Sequence, residues 1–293
     1  MVMCDTIVRS GSDSAIVRIH NKKKAIALTV DSSANYCKAH PYTGGKQIVC
    51  ESWRNLISVG AKPLAITNCL NFGNPENPNI MGEFADVIKG MKEACEFLDY
   101  PVVSGNVSFY NGTNKKNIYP TPVIGGVGLI SETNKILKNS FKDEKNYIFV
   151  IGKTFGHISQ STLLNEVFSI FDGPPPEVNL KNEKNNGETI INLVKNSYVE
   201  SVHDVSSGGI LLSIAEMSIY SQIGIKIQKP KTNINIFEYF FGEDQGRYII
   251  EVNEKKVNGL KKYLNDNNIH YDFIGITQKN YFEIEKNIKI SVN

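Results

Sequence analysis

The chain has 293 residues, which is enough for two domains of ordinary size, and 41% of them are hydrophobic. Its 32 basic and 30 acidic residues nearly balance, so the charge gives no reason to expect a nucleic-acid partner. Five cysteines without a CxxC spacing argue against a disulfide framework and fit a cytoplasmic protein. No apolar run approaches the roughly 18 residues of a membrane span, and the amino terminus does not resemble a signal peptide.

The first half of the chain alternates short apolar runs with helical patterns, which predicts an α/β fold. We predict strands at 25–31, 65–70, 102–105 and 123–130 and helices at 46–59 and 81–98. In the first helix Glu51 and Asn55 lie four residues apart and share a face opposite the apolar stripe. The polar stretch 140–146 predicts a boundary between one domain of residues 1–145 and a second of residues 146–293.

The second half continues the alternation of strands and helices. We predict strands at 147–152 and 199–204, helices ending near Phe168 and at 180–196 and 210–220, and a loop at 172–176. The loop follows from three consecutive prolines, which cannot sit inside a helix or a central strand.

The clearest candidate site is the segment His203-Asp204-Val205-Ser206-Ser207-Gly208-Gly209, at the end of a predicted strand. Free amides at the start of the following helix would attract phosphate, and glycines let a backbone come close to it. Asp204 could hold a metal ion that bridges phosphates. A strand-to-helix turn capped by serine explains the same residues equally well, and the Walker spacing is absent.

Four further segments offer polar side chains. Glu51 and Asn55 carry hard oxygen ligands that suit Mg²⁺, although spacing alone favours a solvated polar face. Asp13 lies in a turn and is ambiguous by itself. The segment 104–108 follows an apolar strand, and open α/β folds bind ligands at such strand ends. The turn at 241–248 places charges between aromatic residues and is interpreted as a structural turn with an internal ion pair.

Taken together in order, eight segments resemble the second half of phosphoribosylformylglycinamidine synthase. They are Thr29-Val30-Asp31, Tyr42-Thr43-Gly44-Gly45-Lys46, Arg54-Asn55-Leu56, the segment from Thr67 to Pro75, the segment from Val103 to Ser108, the segment from Tyr119 to Gly125, the segment from His203 to Gly209, and the segment from Phe241 to Tyr248. Each is weak alone, but eight in order are specific and cover nearly the whole chain. The family belongs to the aminoimidazole-ribonucleotide-synthetase-like superfamily, which implies a mixed-sheet amino-terminal domain followed by an α/β carboxyl-terminal domain.

The resemblance implies an ATP- and Mg²⁺-dependent ligase of purine biosynthesis. Such enzymes convert formylglycinamide ribonucleotide, ATP and glutamine or ammonia to formylglycinamidine ribonucleotide, ADP and phosphate. In the short form of the enzyme, a separate glutaminase subunit supplies ammonia and a small third subunit assists. The full enzyme looks like two fused units, and the amino-terminal unit supplies the catalytic histidine. We therefore assign no catalytic residue to this chain and expect it to need that first half for activity.

Two sites carry over from the resemblance. At an interface pocket built from both halves, Asn68 and Gly105 would lie near ATP, Asn106 near Mg²⁺ and Ser108 near the ribonucleotide. The family commonly has an aspartate where Asn68 stands, so the direct role of that position is open.

The second site resembles an auxiliary nucleotide site that is related to the first by pseudo-symmetry. There Asp13, Glu51, Asn55 and Asp204 match magnesium ligands and Ser206 matches a nucleotide contact. His203 is interpreted as a structural or supporting residue.

Alternative interpretations remain beside this one. The chain could be a complete homodimeric enzyme of the same superfamily, or a non-catalytic scaffold that binds a nucleotide and stabilises partner subunits. In isolation, its amino-terminal sheet would leave apolar surface exposed, so we also consider pairing with a second copy of the chain.

Overall fold

The computed structural model describes residues 5–8, 11–114, 116–284 and 288–292 of the chain. The first part contains β1 (Ala15–Arg18), β2 (Ala25–Asp31), α1 (Ala34–Ala39), α2 (Pro41–Ser58), β3 (Lys62–Asn71), α3 (Pro78–Leu98), β4 (Val102–Ser108), β5 (Gly112–Thr113), β6 (Lys116–Asn117) and β7 (Thr121–Ile130). The second contains β8 (Tyr147–Ile151), α4 (Leu180–Lys195), β9 (Ser201–Asp204), α5 (Gly209–Ser221), β10 (Gly224–Ile227), α6 (Ile236–Phe241), β11 (Tyr248–Val252), α7 (Val257–Asp266), β12 (Tyr271–Gln278), β13 (Tyr281–Ile284) and β14 (Ile288–Ser291).

Two mixed sheets organise these elements, which confirms the predicted α/β fold. The first has the order β1-β2-β7-β3-β4, and only its β3–β4 pair is parallel. The second has the order β14-β13-β10-β12-β8-β11-β9. The domain boundary after residue 145 stays a prediction. In the described part of the chain, no helix is both long and apolar enough to cross a membrane.

Most predicted elements form, with bounds that differ by a few residues. The largest difference lies before Phe168, where a single wide helical turn, Leu163–Val167, replaces the predicted helix. Strand β4 is longer than predicted and continues through Asn106 to Ser108.

Helix α2 lies at the centre of the first part and is buried on almost every side. It packs closely against α3 because glycines stand at the crossing. A Cβ atom on Gly45 would lie 2.4 Å from the carbonyl oxygen of Val87, and one on Gly90 would lie 1.9 Å from that of Tyr42. Spacing alone favours a solvated face for Glu51 and Asn55, but both are half-buried, because β9 of the second sheet contacts α2.

The first sheet has one covered face and one open face. Its helices cover Ala25, Ala27 and Ile124, whereas Leu28 and Val30 point away from them and are 40% and 79% exposed. The register places Leu28 beside Val127 and Val30 beside Gly125, so this open face is largely apolar.

A buried carboxylate helps to hold the segment that joins the two sheets. Glu251 on β11 accepts hydrogen bonds from the backbone amides of Lys142 and Asp143 and from the side chains of Asn146 and Ser201. These bonds hold the second sheet against the end of the linking segment.

Candidate functional site

Acidic side chains from both sheets converge between them. Asp13 precedes β1, Asp31 ends β2, Glu51 lies on α2 and Asp204 ends β9. Helix α2 contacts β9, which brings these four carboxylates into one region. We call this group, together with Asn55, the acidic cluster. The structure therefore brings into one region the four residues that the sequence predicted as magnesium ligands, Asp13, Glu51, Asn55 and Asp204, and Asp31 lies with them.

His203 connects two members of this region. Its Nδ1 atom lies 2.8 Å from Oδ1 of Asp13 and 3.8 Å from Oδ1 of Asp204, and its Nε2 atom lies 3.0 Å from Glu216. Burial disfavours the imidazolium, but Asp13 and then Glu216 outweigh burial and raise the pKa of His203 well above its usual range. His203 thus supports the carboxylates, as expected for a structural residue.

Asp31 is a further ligand candidate that the sequence-based prediction of site residues did not include. Its Oδ1 atom accepts a 2.7 Å hydrogen bond from Nδ2 of Asn55, whose own carbonyl oxygen accepts from Ser14. The sequence signals were an acid at the end of an apolar strand and the place of Asp31 in the family-like segment Thr29-Val30-Asp31. The bond orients the side-chain amide of Asn55 and leaves its oxygen available to a ligand.

Three carboxylate oxygens of the cluster are buried without a hydrogen-bond partner among the described residues. They are Oδ2 of Asp13, Asp31 and Asp204. A buried acceptor without a partner is costly, so such groups commonly face a bound ion or water. Carboxylate and amide oxygens are the donor set that Mg²⁺ prefers. The arrangement therefore fits a divalent cation.

The electrostatics of the cluster point the same way. Burial, followed by repulsion from Glu51, raises the pKa of Asp31 to about 7. Burial also raises the pKa of Glu51 to about 7, with a smaller contribution from repulsion by Asp204. Burial raises the pKa of Asp204 to about 7 as well, and repulsion from Asp13 is the next cause. Neighbouring carboxylates resist ionisation together, and a divalent cation between them would relieve that repulsion.

Arg54 brings a fixed positive charge to the edge of the cluster. Its side chain is fully buried, with Nη1 2.8 Å from Oε1 of Glu183 on α4 and Nη2 3.0 Å from Oε1 of Gln245. Its Nε atom lies 3.8 Å from Oδ2 of Asp204. Arg54 therefore links α2 in the first part of the chain to two segments of the second.

The segment after β9 that was predicted to bind phosphate is hydrogen-bonded to a side chain of the protein itself. The backbone amide of Gly208 donates a 2.7 Å hydrogen bond to Oε1 of Glu243, which also accepts from the amide of Thr162. The other oxygen of Glu243 accepts from the hydroxyl of Tyr36. Ser206 is half-buried in the same turn, two residues beyond Asp204.

The neighbouring Asp244 is held in the same way. Its carboxylate accepts from the consecutive backbone amides of Phe155, Gly156 and His157 at 2.9, 2.9 and 3.1 Å. Arg247 lies 3.7 Å from it. The turn at 241–248 is thus a structural turn with an internal ion pair, as the sequence predicted.

The other expected site residues lie on β3 and β4, away from the acidic cluster. Asn68 pairs with Gly105, and a Cβ atom on Gly105 would lie 2.1 Å from Oδ1 of Asn68. Asn68 and Asp31 both pair with Ile124 on β7. Gly105, Asn68, Ile124 and Asp31 therefore lie in one row across the first sheet. Two strand spacings, roughly 10 Å, separate Asp31 from Asn68.

Asn106 and Ser108 lie on the opposite, open face of the sheet. They pair with Cys69 and Asn71, which alternate with the buried Leu70. Ser108 also bonds the side chain of Asn111. The four expected residues of the interface pocket are therefore near one another on β3 and β4 but divided between the two faces of the sheet. We call them the sheet-edge group.

A cavity of about 450 Å³ opens beside Asn68 on the helix side of this edge. Its lining is mainly apolar and includes Ile88, Met91, Pro101 and Val102. The charged residues Lys92, Glu96 and Asp99 also line it. A mainly apolar wall with a few polar groups is typical of small-molecule sites.

Comparison with known families and proteins places this geometry in context. The AIR synthase related protein, N-terminal domain, family matches residues 11–130, and the AIR synthase related protein, C-terminal domain, family matches residues 145–285. The phosphoribosylformylglycinamidine synthase subunit PurL of Pelagibacter ubique is 52% identical over 292 residues, which cover 100% of this chain and 40% of that protein. The same subunit from Azorhizobium caulinodans is 48% identical over 250 residues, covering 85% of this chain and 34% of that protein.

Solved structures give the same result. PurL of T. maritima complexed with FGAR superposes with a TM-score of 0.66 at 25% identity, covering 95% of this chain and 38% of that one. Its complex with AMPPCP gives a TM-score of 0.64 at 26% identity, covering 94% and 39%. The chain spans about two fifths of the length of these relatives. It belongs to the AIR synthase related family and is similar to the carboxyl-terminal half of the PurL subunit of phosphoribosylformylglycinamidine synthase.

Proposed function

We propose that this chain is the carboxyl-terminal, ATP-binding half of a phosphoribosylformylglycinamidine synthase and that its acidic cluster binds a magnesium–nucleotide complex, ADP or ATP. The observation that carries the nucleotide site is the set of three buried carboxylate oxygens that have no hydrogen-bond partner in the described part of the chain. Asp13, Glu51, Asn55 and Asp204 would hold Mg²⁺, and Ser206 would contact the nucleotide. Bound Mg²⁺ would neutralise phosphate charge.

The sheet-edge group is proposed to contribute to a second site that this chain does not complete. Asn68 and Gly105 would contact ATP beside the apolar cavity, Asn106 would approach Mg²⁺ and Ser108 would contact the ribonucleotide. Solved relatives were complexed with AMPPCP, ADP, ATP and FGAR, which supports these ligand classes. The reaction at this site would be ATP-dependent amidation of formylglycinamide ribonucleotide.

The open face of the first sheet supports the proposal that a partner binds next to the sheet-edge group. Leu28 and Val30 are exposed there, and Asn106 and Ser108 share that face. Exposed apolar patches of this kind usually mark an interaction surface. We propose that the amino-terminal half of the enzyme covers this face, and that a second copy of the chain covers it in isolation.

A glutaminase subunit and a small third subunit would complete the assembly, and a PurLQS complex is known for T. maritima. The buried cysteines Cys37, Cys50 and Cys95 are free thiols. That state fits the reducing cytoplasm, which we propose as the location of the protein.

Isothermal titration of the chain with ADP and with ATP, with and without Mg²⁺, tests the nucleotide site. We expect binding that requires Mg²⁺ and that Asp204→Asn weakens at least about a hundredfold, because the variant keeps the shape but loses the charged ligand. Asp86→Asn is the matched control, since Asp86 forms an exposed ion pair with Lys89 on α3.

The outcomes separate the possibilities. Equal binding by wild type and Asp204→Asn would place the nucleotide elsewhere and contradict the proposed site. If the chain binds Mg²⁺–ADP but shows no synthase activity when combined with an amino-terminal half and ammonia, the non-catalytic scaffold becomes the better assignment.

A further inference from the structure

Arg54 and Asp204 carry opposite charges and face each other without forming a hydrogen bond. Nε of Arg54 lies 3.8 Å from Oδ2 of Asp204, beyond the usual range of up to about 3.2 Å. Both atoms are buried, and neither has a hydrogen-bond partner among the described residues. An unrestrained guanidinium in a buried site would move onto the free carboxylate oxygen.

The other end of the guanidinium explains why it does not. Glu183 on α4 accepts from Nη1 at 2.8 Å, and Gln245 accepts from Nη2 at 3.0 Å. The guanidinium is planar and its donors have fixed directions, so two bonds on one side fix the position of Nε. Both anchors belong to the second part of the chain, whereas Arg54 lies on α2.

We infer that Glu183 and Gln245 are positioning residues that hold Arg54 back and thereby leave Oδ2 of Asp204 free for a divalent cation. The inference rests on the proposed magnesium–nucleotide site and extends it to residues that do not touch the ligand. Arg54 in this position limits the repulsion among the carboxylates without occupying the place of the cation.

This role differs from a purely structural ion pair in one measurable way. If the Arg54–Glu183 pair served only stability, its loss would lower the melting temperature and leave the cation affinity of the folded protein unchanged. If it restrains Arg54, its loss also releases the guanidinium toward Asp204. The cation then has to displace a hydrogen-bonded positive charge, which lowers its affinity by about tenfold at protein-like dielectric.

Two substitutions at one position separate restraint from charge. Glu183→Met removes both the acceptor and the negative charge, whereas Glu183→Gln removes the charge but keeps an acceptor of the same length. We expect the affinity for Mg²⁺ in the presence of ADP to fall about tenfold in Glu183→Met and only slightly in Glu183→Gln. The double variant Arg54→Met/Glu183→Met should recover most of the affinity, because the competing cation is gone.

The measurement is calorimetric titration of each folded variant with Mg²⁺ at saturating ADP, with melting curves taken without metal. A crystal structure of metal-free Glu183→Met provides a second readout, in which Arg54 should form a hydrogen bond with Asp204. If Glu183→Met does not fold, Gln245→Met at a half-buried position takes its place, with a smaller loss expected.

The two proposals fail in different ways. If wild type shows no magnesium-dependent binding, both the site and this inference are overturned. If wild type binds and Glu183→Met and Glu183→Gln lose the same affinity, the effect is one of charge alone, and only the positioning role is overturned. A larger loss in Glu183→Met with recovery in the double variant supports it.

Discussion

The acidic cluster and the sheet-edge group differ in how completely one chain builds them. The cluster takes residues from α2, β2, β9 and the segment before β1, and its carboxylates are largely enclosed. The sheet-edge group lies on β3 and β4, and every residue of β4 from Val102 to Val107 is exposed. One chain thus presents an enclosed site and an open one.

This difference has a chemical counterpart. Burial and mutual repulsion raise the pKa values of Asp31, Glu51 and Asp204, so the cluster is already tuned by its surroundings. Asn106 and Ser108 remain at the surface, and a covering partner would have to supply their final environment. An enclosed site can be tested in the isolated chain, whereas the open one has to be tested in an assembly.

The largest expected effect comes from a substitution of Gly105, which should disturb the sheet-edge group and leave the acidic cluster intact. A Cβ atom there would lie 2.1 Å from Oδ1 of Asn68, so Gly105→Ala should displace that side chain. We expect activity reconstituted with an amino-terminal half and ammonia to fall about a hundredfold, because misplacement by about 1 Å has that cost. Binding of Mg²⁺–ADP by the isolated chain should not change.

Gly82→Ala is the control for this experiment, because a Cβ atom on Gly82 meets no atom within 4 Å. Loss of Mg²⁺–ADP binding in Gly105→Ala would mean that the sheet edge and the cluster are not independent.

A smaller effect is expected at the open face of the sheet. Leu28→Lys places a charge within the apolar face and should weaken self-association of the isolated chain by at least about tenfold, since burying that charge is costly. Its effect on the folding free energy should stay within about 0.5 kcal/mol, because Leu28 is exposed. Sedimentation velocity over a range of concentrations measures the association.

Phe237→Lys serves as the matched control, since Phe237 is 62% exposed on α6, outside the sheet. Equal association of wild type and Leu28→Lys would show that this face is not the contact surface.

The smallest expected effect is the pH dependence of stability. Asp31, Glu51 and Asp204 have pKa values raised to about 7, so the folded protein binds more protons than the unfolded chain between pH 4 and 7. Stability without metal should therefore fall as pH rises through this range. His203, whose pKa is also raised, contributes in the same direction, because its stabilisation is lost as pH rises through its folded-state pKa.

Calorimetric melting at pH 5.5 and 8.0 measures this, and we expect Mg²⁺ to raise the melting temperature by several degrees only at the higher pH. A similar increase at both values would indicate that the cation binds outside the cluster.

Sequence periodicity predicted most of the fold, including both ends of β2 and the start of α4. The resemblance to a family supplied Asp13, Glu51, Asn55 and Asp204, and the structure brings all four together. Periodicity failed where tertiary packing decides. The polar face of α2 looked solvated because the pattern carries no information about β9, which covers it.

The same limit explains the residues that were missed. Glu183 and Glu243 reach the site from positions 129 and 207 residues away from their partners Arg54 and Tyr36. A motif around one segment cannot indicate a partner at that distance. The sequence pattern marks Glu243 only as part of a charged turn, yet Glu243 accepts a hydrogen bond from the amide of Gly208, in the segment predicted to bind phosphate.

The exposed edge strand β4 also affects how readily the protein can aggregate. Natural edge strands are usually protected from aggregation by lysine, proline or a bulge. The segment Val102–Ser108 contains no charged residue and no proline, and its pairing with β3 shifts register once, between Val102 and Ser104. Apart from this irregularity, the outer backbone groups of β4 are open to pairing with another extended chain. An amino-terminal half that covers this edge, as proposed, would therefore also shield it from unrelated strands.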